Sequence, residues 1–310
     1  MRIIFFGSPA FALPALEALA VSPYRPMAVV TKPDQPRGRG LRLQPTAVRQ
    51  RAESLGFPVH APNSLADPHF QNILRDLQPD LFVVVAFSIL PKSLLAIPRW
   101  GSCNIHPSLL PAYRGAAPVE RALLAGEERT GVSLIWLQEK VDRGPLISQE
   151  ETPITPLETA GELRWRLSRQ GADLLLRMMP LVEDGRCPSV RQDDSLASWA
   201  PKIGEEDCRI RWEEPALASH NRVRALDPSP GAYTTWPRKS RVARLKIWRA
   251  HPLEEQSLKP GEVSVIGDRL VVGCGSGALA VELLQQEGKK PLETSAFLRG
   301  AGLRQGERWG

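Results

Sequence analysis

Seven consecutive apolar residues, LFVVVAF at 81–87, place the strongest constraint on the fold of this chain. Side chains on a β-strand point alternately to its two faces, so a strand that is apolar at every position has to be covered on both faces. Strands of this kind are typical of parallel sheets that carry helices on each side. The run therefore predicts a buried strand inside an α/β sheet.

Strand-like and helix-like segments alternate along the first half of the chain. The strand-like segments IIFFG, MAVVTK and SCNIH are separated by helix-like segments such as PALEALA and DPHFQNILRDLQ. Alternation of this kind indicates an α/β domain with an open, mostly parallel, Rossmann-like sheet wrapped by helices. Ligands of such sheets bind beyond the carboxyl ends of the strands.

We expect two domains, because 310 residues exceed the usual size of one domain. A long helical pattern at 159–185 closes the first domain, which we predict to span residues 1–200, and residues 201–207 resemble a linker. From 208 to 310 the chain consists largely of short strand-like segments, some separated by glycine-containing turns. This pattern predicts a small β-barrel, OB-like domain.

The composition limits the possible partners and compartments. A net charge of +6 allows an anionic partner without requiring one. The four cysteines form no Cys-x-x-Cys pair and the histidines show no ligand spacing, which argues against a disulfide framework and against a metal site. No stretch reaches the roughly 18 apolar residues of a membrane span, and the N-terminal apolar run is too short for a signal peptide. We therefore expect a cytoplasmic protein, without a membrane partner, that is a monomer.

The segment SCNIHPSLLPAYRGAAP, 102–118, carries the clearest chemical signal. Asn104 and His106 share one face of a predicted strand and lie at its carboxyl end. Pro107 and Pro111 restrict the backbone that follows, and the two leucines between them are suited to the wall of a flat apolar site. An isolated Asn-x-His is more often a pair of hydrogen-bonded structural residues, but the position at a strand end favours a functional site.

A histidine in an active site needs a group that orients it, and Asp142 is a candidate. It lies in a Val-Asp-Arg-Gly turn between two strand-like segments, GVSLIWL and PLISQEETPI. Aspartates in turns commonly accept hydrogen bonds from their own backbone, which is the structural alternative. The functional alternative is a carboxylate that orients the imidazole and stabilises its cationic form.

These motifs together resemble the folate-dependent formyltransferases. NIHPSLLPAYRGAAP followed by VDRGPLI looks like the signature of that family, and the similarity continues in IIFFGSPAFALPALEAL, DLFVVVAFSILP, ALDPSPGAYT and GKKPLETSAFLRG. The resemblance implies that the catalytic residues are Asn104, His106 and Asp142. It further implies a folate site lined by Ser108, Leu109, Leu110 and Pro111.

Two positions depart from the family pattern. The family usually has Tyr-Gly before its Ile-Leu-Pro, whereas this chain has Phe87-Ser88 and is one residue shorter there. The residue after the Asp-x-Gly turn is usually acidic, and here it is Pro145. Both departures concern local contacts of the folate loop and leave the Asn-His-Asp set intact.

The resemblance also implies a reaction. A formyl group passes from 10-formyltetrahydrofolate to the amino group of methionine on initiator tRNA, and no metal is required. The amine has to be neutral to attack, and a free α-amino group titrates near about 7.7–8. Asn104 and protonated His106 would donate hydrogen bonds to the resulting oxyanion, and loss of one such donor typically raises the barrier by about 3–4 kcal/mol. Asp142 would orient His106 and assist the proton transfer.

Two basic segments favour the tRNA-modifying members of the family. The segment KPDQPRGRGLRLQPTAVRQR, 32–51, has six basic residues and one acid, and its glycines and prolines predict a projecting loop. The resemblance implies that this loop contacts the acceptor stem, and the predicted contacts are Arg37, Arg39 and Arg42. A second segment, RKSRVARLKIWR at 238–249, has six basic residues and no acid. One basic segment in each domain favours a nucleic-acid partner.

Two other functions stay open at this point. A formyltransferase that acts on an amino-sugar nucleotide would share the catalytic set, and a tRNA-binding protein without catalysis would share the basic segments. A dehydrogenase that uses a nicotinamide cofactor is excluded, because GSPAFA after the first strand has Pro9 and Ala12 where a dinucleotide-binding turn has glycines.

Overall fold

The computed structural model describes residues 1–37, 42–238, 242–254, 258–303 and 306–310. The chain forms two compact units. Unit 1 comprises Met1–Pro118, Arg129–Pro153 and Arg164–Ala200, and unit 2 comprises Val119–Glu128, Ile154–Leu163 and Pro201–Gly310. The division into functional domains at 1–200, 201–207 and 208–310 stays a prediction. Among the described residues, no helix has both the length and the apolar character that crossing a membrane requires.

Seventeen strands are present in the described residues. In chain order they are β1 (Ile3–Gly7), β2 (Ala28–Val30), β3 (Gln35–Arg37), β4 (Arg42–Gln44), β5 (Val59–His60), β6 (Leu81–Val85), β7 (Ser102–His106), β8 (Arg114–Gly115), β9 (Arg129–Trp136), β10 (Leu146–Pro153), β11 (Trp199–Ala200), β12 (Ala232–Pro237), β13 (Val242–Leu253), β14 (Val263–Ile266), β15 (Arg269–Gly273), β16 (Ala278–Gln286) and β17 (Leu292–Glu293).

The α-helices of the described residues are α1 (Leu13–Ala20), α2 (Ala47–Ser54), α3 (Pro68–Asp76), α4 (Lys92–Leu95), α5 (Pro118–Ala125), α6 (Ala160–Glu183), α7 (Glu205–Cys208), α8 (Ala216–Ala225) and α9 (Thr294–Ala301). Two short 3-10 helices lie at Ala10–Ala12 and Asp194–Leu196.

The main sheet of unit 1 has seven strands in the order β10-β9-β7-β6-β1-β2-β5. The five strands from β7 to β5 are parallel to one another, whereas β9 is antiparallel to both β7 and β10. All five residues of β6 are buried, as the apolar run predicts. Phe6, Phe82 and Val84 form part of a buried cluster with Phe70 and Leu74 of α3 on one side of the sheet. The predicted open, mostly parallel α/β sheet is confirmed.

Unit 2 contains a curled, antiparallel half-barrel in the order β12-β13-β16-β15-β14, with β17 paired to β16. The predicted small β-domain is therefore confirmed. The residues RIRW, 209–212, are predicted to form a strand, but Arg209 makes only an isolated bridge to Tyr233. Strand β12 and helix α9 are not predicted from the sequence. Strand β12 lies between Gly231 and Arg238 and is buried at Ala232, Tyr233, Thr234 and Trp236, so its buried positions form neither an alternating nor a continuous apolar pattern.

The basic segment at 32–51 differs from the predicted irregular loop. Strands β3 and β4 form an antiparallel hairpin in which Gln35 is opposite Gln44 and Arg37 is opposite Arg42. Pro36, which is opposite Leu43, is compatible with this hairpin, because a missing backbone N–H is tolerated on a two-stranded ribbon. We call residues 35–44 the hairpin arm.

Candidate active site

The carboxyl end of β7 presents the predicted pair. Asn104 is half-buried and His106 is buried, and the alternation of the strand places them on one face. Cys103 and Ile105, on the other face, are buried. A Cβ atom added to Gly171 of α6 would lie 2.5 Å from Cγ2 of Ile105, so this helix packs tightly against the back of the site strand. The apolar face thus fixes the strand while the polar face is available for chemistry.

His106 is held from two sides. Its Nε2 lies 2.9 Å from the carbonyl oxygen of Tyr113, and because a carbonyl cannot donate, Nε2 carries a hydrogen atom. Its Nδ1 lies 3.6 Å from Oδ1 of Asp142, a distance typical of an ion pair rather than of a hydrogen bond. The side chains of His106 and Asp142 are only 5% and 12% exposed. The structure therefore brings together the imidazole and the carboxylate that the sequence motifs suggest.

Asp142 lies in the turn between β9 and β10 and has an unusual backbone conformation. Its φ angle is +52°, in the left-handed region that a residue with a Cβ atom seldom adopts. Its Oδ2 accepts a hydrogen bond of 2.9 Å from the backbone N–H of Gly115. A Cβ atom on Gly144 would lie 1.6 Å from the carbonyl oxygen of Trp136, so only glycine fits two residues after the carboxylate.

The predicted folate loop, 108–111, is braced by two residues that the sequence motifs do not include. Ser133 accepts a hydrogen bond from the Leu110 N–H (3.0 Å) and donates one to the Ser108 carbonyl (2.6 Å). Gln149 donates from Nε2 to the Leu110 carbonyl and to Ser133 Oγ, both at 2.8 Å. The peptide bond between Leu110 and Pro111 is cis. Neither Ser133 nor Gln149 lies near the loop in sequence, so no local motif points to them.

The four folate-loop residues differ in exposure. Ser108 and Leu110 are buried, and the Ser108 hydroxyl donates to the carbonyl of Ala112 at 2.6 Å. Leu109 and Pro111 are half-buried and therefore offer side-chain surface to a ligand. Their roles in folate binding stay predictions.

The two departures from the family pattern have visible structural roles. The Phe87 ring lies 5.6 Å from the Phe6 ring, edge-on, and packs against the buried cluster of the sheet. The carbonyl of Pro145 accepts a hydrogen bond of 2.9 Å from the Trp136 N–H. Phe87 thus extends the core beside β6, and Pro145 helps to close the turn that carries Asp142.

Buried hydroxyl groups lie at the base of the hairpin arm, and we call Ser8, Thr31 and Thr46 its root. Thr31 Oγ1 lies 2.6 Å from Thr46 Oγ1 and 3.4 Å from Ser8 Oγ, and all three residues are buried. Thr46 also caps α2 by accepting a hydrogen bond of 3.0 Å from the Arg49 N–H. Of the predicted tRNA contacts, Arg37 and Arg42 are opposite each other at the end of the hairpin, and Arg39 lies outside the described residues.

A second basic surface lies on the β12–β13 hairpin of unit 2. The Arg244 guanidinium lies 3.9 Å from the centre of the Tyr233 ring, and Lys246 Nζ lies 5.4 Å from the centre of the Trp248 ring. Arg238, which is exposed, lies 4.3 Å from the centre of the Trp236 ring. We call Tyr233, Arg244, Lys246 and Trp248, which share one face of the two strands, together with Arg238 just after β12, the cation–aromatic face. Two other basic residues of the segment, Lys239 and Arg241, lie outside the described residues.

Arg249 belongs to the same basic segment but is already paired. Its guanidinium donates to Glu282 at 2.7 Å and to Glu293 at 2.9 Å. These carboxylates hold the pKa of Arg249 above its ordinary value, chiefly through the hydrogen bond to Glu282. Arg249 is therefore committed to contacts within the domain.

The thiol on the site strand is unreactive. Burial raises the pKa of the Cys103 thiol to about 12, so this cysteine beside Asn104 stays protonated at neutral pH. Within the ranges that the structure describes, no group of three or more His, Cys, Asp and Glu side chains is arranged to hold a metal ion.

The family is decided by comparison of this chain with known proteins. The profile described as Formyl transferase matches residues 1–179, and the profile described as Formyl transferase, C-terminal domain, matches residues 202–302. This chain belongs to the formyl transferase family. The first profile covers more than half of the formyl transferase chain and includes Asn104, His106 and Asp142, and the second includes the described part of the β12–β13 hairpin.

Full-length relatives of this formyl transferase chain are highly similar. A protein of Syntrophus aciditrophicus named Methionyl-tRNA formyltransferase is 46% identical over 303 residues, which cover 97% of this chain and 96% of that protein. A protein of Streptomyces coelicolor with the same name is 42% identical, with all of each chain covered.

Solved structures of lower identity share the fold. The N-formyltransferase of Helicobacter canadensis, in complex with folinic acid and dTDP-3-aminofucose, has a TM-score of 0.68 at 18% identity, covering 91% of this chain and 98% of that one. HypX of Aquifex aeolicus, in complex with tetrahydrofolic acid, has a TM-score of 0.66 at 20% identity, covering 98% and 48%. These two likenesses establish the formyl transferase fold.

Proposed function

We propose that this protein transfers the formyl group of 10-formyltetrahydrofolate to the free amino group of methionyl-tRNA. The observation that carries the proposal is the position of His106 at the carboxyl end of β7, 3.6 Å from Asp142 and on the same strand face as Asn104, in a chain that belongs to the formyl transferase family. The names of the relatives at 42–46% identity favour methionyl-tRNA over an amino-sugar nucleotide as the acceptor.

In this proposal Asn104 and His106 stabilise the charge that develops on the formyl oxygen. The neutral amine of the substrate attacks the formyl carbon, a C–N bond forms, and the formyl oxygen becomes an oxyanion. The side-chain amide of Asn104 supplies an N–H donor at the strand end. Nε2 of His106 donates to the Tyr113 carbonyl and Nδ1 lies 3.6 Å from the Asp142 carboxylate, so in this proposal that carboxylate balances a cationic imidazole. His106 thus acts here mainly through its positive charge.

Asp142 has two roles in this proposal. Its carboxylate balances the charge of His106, and it passes the proton of the attacking amine to the folate nitrogen. When the tetrahedral intermediate collapses, the bond between the formyl carbon and the folate nitrogen breaks, and the proton lost by the amine is delivered to that nitrogen. Asp142 is held by Gly115 and faces His106, so its position during this transfer is fixed before substrate binds. Leu109 and Pro111, which are half-buried, are the proposed side-chain contacts of the folate.

The two basic surfaces are the proposed contacts of initiator methionyl-tRNA. In unit 1 the hairpin arm carries Arg37, Arg39 and Arg42, and we assign it to the acceptor stem. In unit 2 the cation–aromatic face offers the charges of Arg238 and Lys246 for phosphates and the half-buried ring of Trp248 for stacking on bases. A monomeric state and a cytoplasmic location belong to the same proposal.

A formylation assay tests the function. The protein is incubated with 10-formyltetrahydrofolate and initiator methionyl-tRNA, and formyl-methionine is measured after hydrolysis of the ester bond. We expect turnover with initiator methionyl-tRNA and none with uncharged tRNA, which lacks the methionine α-amino group that accepts the formyl group. Formylation of a dTDP-amino sugar in place of the charged tRNA would support the amino-sugar alternative. Binding of tRNA without formylation of either acceptor would support a non-catalytic protein.

A further inference from the structure

The buried side chain of Gln192 connects the catalytic turn to a distant part of unit 1. Its Nε2 donates to the carbonyl of Asp142 at 2.9 Å and to the carbonyl of Gly144 at 2.7 Å. Its Oε1 accepts from Arg114, at 2.7 Å from one terminal nitrogen and at 3.2 Å from Nε. Carbonyls only accept and a guanidinium only donates, so this orientation of the amide is the one that satisfies every partner.

Arg114 holds Gln192 in this orientation. The guanidinium is almost completely buried, and its remaining terminal nitrogen pairs with Oδ1 of Asp194 at 2.7 Å. The backbone of Arg114 is fixed as well, because β8 pairs with β11 and the Arg114 N–H donates to the Ser198 carbonyl at 2.9 Å. A buried guanidinium with its neighbours in place is a rigid support, since moving it would leave buried donors unpaired.

The neighbouring residues Arg114 and Gly115 fix both the backbone and the side chain of Asp142, Arg114 through Gln192 and Gly115 directly. The Gly115 N–H, next to Arg114 in the chain, donates to the carboxylate of Asp142, while Gln192 binds the backbone carbonyl of Asp142. The left-handed conformation of Asp142 is unfavourable by itself and persists when the surroundings hold it in place. The hydrogen bond from Gly115 to the side chain and the one from Gln192 to the backbone stabilise this conformation.

We propose that Gln192 is a positioning residue for formyl transfer, oriented by Arg114, which keeps the Asp142 carboxylate facing His106. Gln192 acts through the turn and touches no reacting atom. The inference rests on the catalytic role proposed for Asp142. Loss of the two hydrogen bonds from Nε2 lets the turn relax, and a displacement of about 1 Å at a catalytic group lowers the rate by roughly a hundredfold.

The first test separates turnover from binding. Gln192→Glu keeps an acceptor for Arg114 but sets a carboxylate against the two carbonyls, so we expect kcat to fall by about 10- to 100-fold with folate KM within about twofold of wild type. Gln192→Met removes both the donor and the acceptor of the side-chain amide without adding charge. It should lower kcat similarly, and it covers the case in which the glutamate variant does not fold. Asn72→Asp, on the exposed side of α3, makes the same change from amide to carboxylate away from the proposed sites and should retain wild-type kcat.

The second test asks whether Gln192 acts through Asp142. Single-turnover rates are measured with enzyme in excess for Asp142→Asn, for Gln192→Glu and for the double variant. If the role is positioning, the Gln192 change lowers the rate by less than about twofold in the Asp142→Asn background. An equal loss in both backgrounds, or wild-type kcat in both Gln192 variants, would overturn the inference. Wild-type kcat in Asp142→Asn would instead refute the catalytic role proposed for Asp142.

Discussion

At the scale of single residues, the candidate site is a set of polar groups fixed by buried neighbours. His106 is fixed by the carbonyl of Tyr113, which has a φ angle of +60° and is therefore itself in an uncommon conformation. Asp142, at +52°, faces it. The imidazole thus has a non-glycine residue in a left-handed conformation on each of two sides. Such unfavourable backbone conformations cluster at functional sites, so they support a functional role for His106.

The first prediction concerns the imidazole. His106→Ala should lower kcat by about 10²–10³-fold, the usual effect of removing one group that stabilises an oxyanion, with folate affinity preserved. Steady-state kinetics and a folate-binding titration measure the two quantities. His69→Ala, at an exposed histidine of α3, is the control and should match wild type. Wild-type turnover in the His106 variant would remove this residue from the mechanism.

The sequence predicts the reactive side chains better than their supports. Asn104 and His106 are two residues apart and Asp142 lies in a recognisable turn, so local patterns suffice to suggest them. Gln192 contacts a turn 50 residues earlier in the chain, and Arg114 reaches Gln192 across 78 residues. No periodicity or short motif encodes a hydrogen bond over such a separation. The supports therefore become visible only when the fold is known.

At the scale of elements, the same distinction separates the segments that the sequence predicts from those that it does not. Strand β6 is predicted correctly because its burial on both faces gives an unbroken apolar run. Strand β12 is buried at four of its six positions, one of them a threonine, and it ends in a proline, so its sequence pattern is weak, and its stability comes from pairing with β13. The hairpin arm is likewise held by cross-strand pairing and by its root rather than by strand propensity.

The root of the hairpin arm gives the second prediction. Thr46→Val keeps the side-chain volume but removes the cap of α2 and the partner of the buried Thr31 hydroxyl, so the free energy of unfolding should fall by about 1–3 kcal/mol. Because Thr46 follows the arm by two residues, KM for tRNA should also rise while KM for folate is unchanged. Thr46→Ser restores the hydroxyl and should recover both properties. Thermal melts and kinetics measure them, and a Thr46→Val protein as stable as wild type would contradict the role of the root.

At the scale of the whole molecule, charge is distributed over both units, and each unit can be tested separately. The net charge is only +6, so local concentrations of basic residues matter more than the total. The hairpin arm supplies arginines in unit 1, and the cation–aromatic face supplies them in unit 2 next to aromatic rings. Truncation after residue 200 is an unsuitable test, because it would divide unit 2. Within that unit Arg121 binds Asp207 and His220 binds the carbonyl of Pro156, and each of these contacts joins a residue before the cut to one after it.

Point substitutions on β13 and just after β12 provide a better test of tRNA binding. Each phosphate contact that is lost reduces the slope of log affinity against log salt by about 0.7–0.9, so Arg238→Ala combined with Lys246→Ala should reduce it by roughly 1.4–1.8 if both contact phosphate. Arg249→Ala removes the same kind of charge from β13, but this guanidinium already pairs with Glu282 and Glu293, so the slope should stay at the wild-type value. Binding of initiator methionyl-tRNA at several salt concentrations gives the slopes. Equal slopes for the double variant and wild type would show that the cation–aromatic face does not contact the phosphate backbone, and a reduced slope for Arg249→Ala would show that net charge alone governs binding.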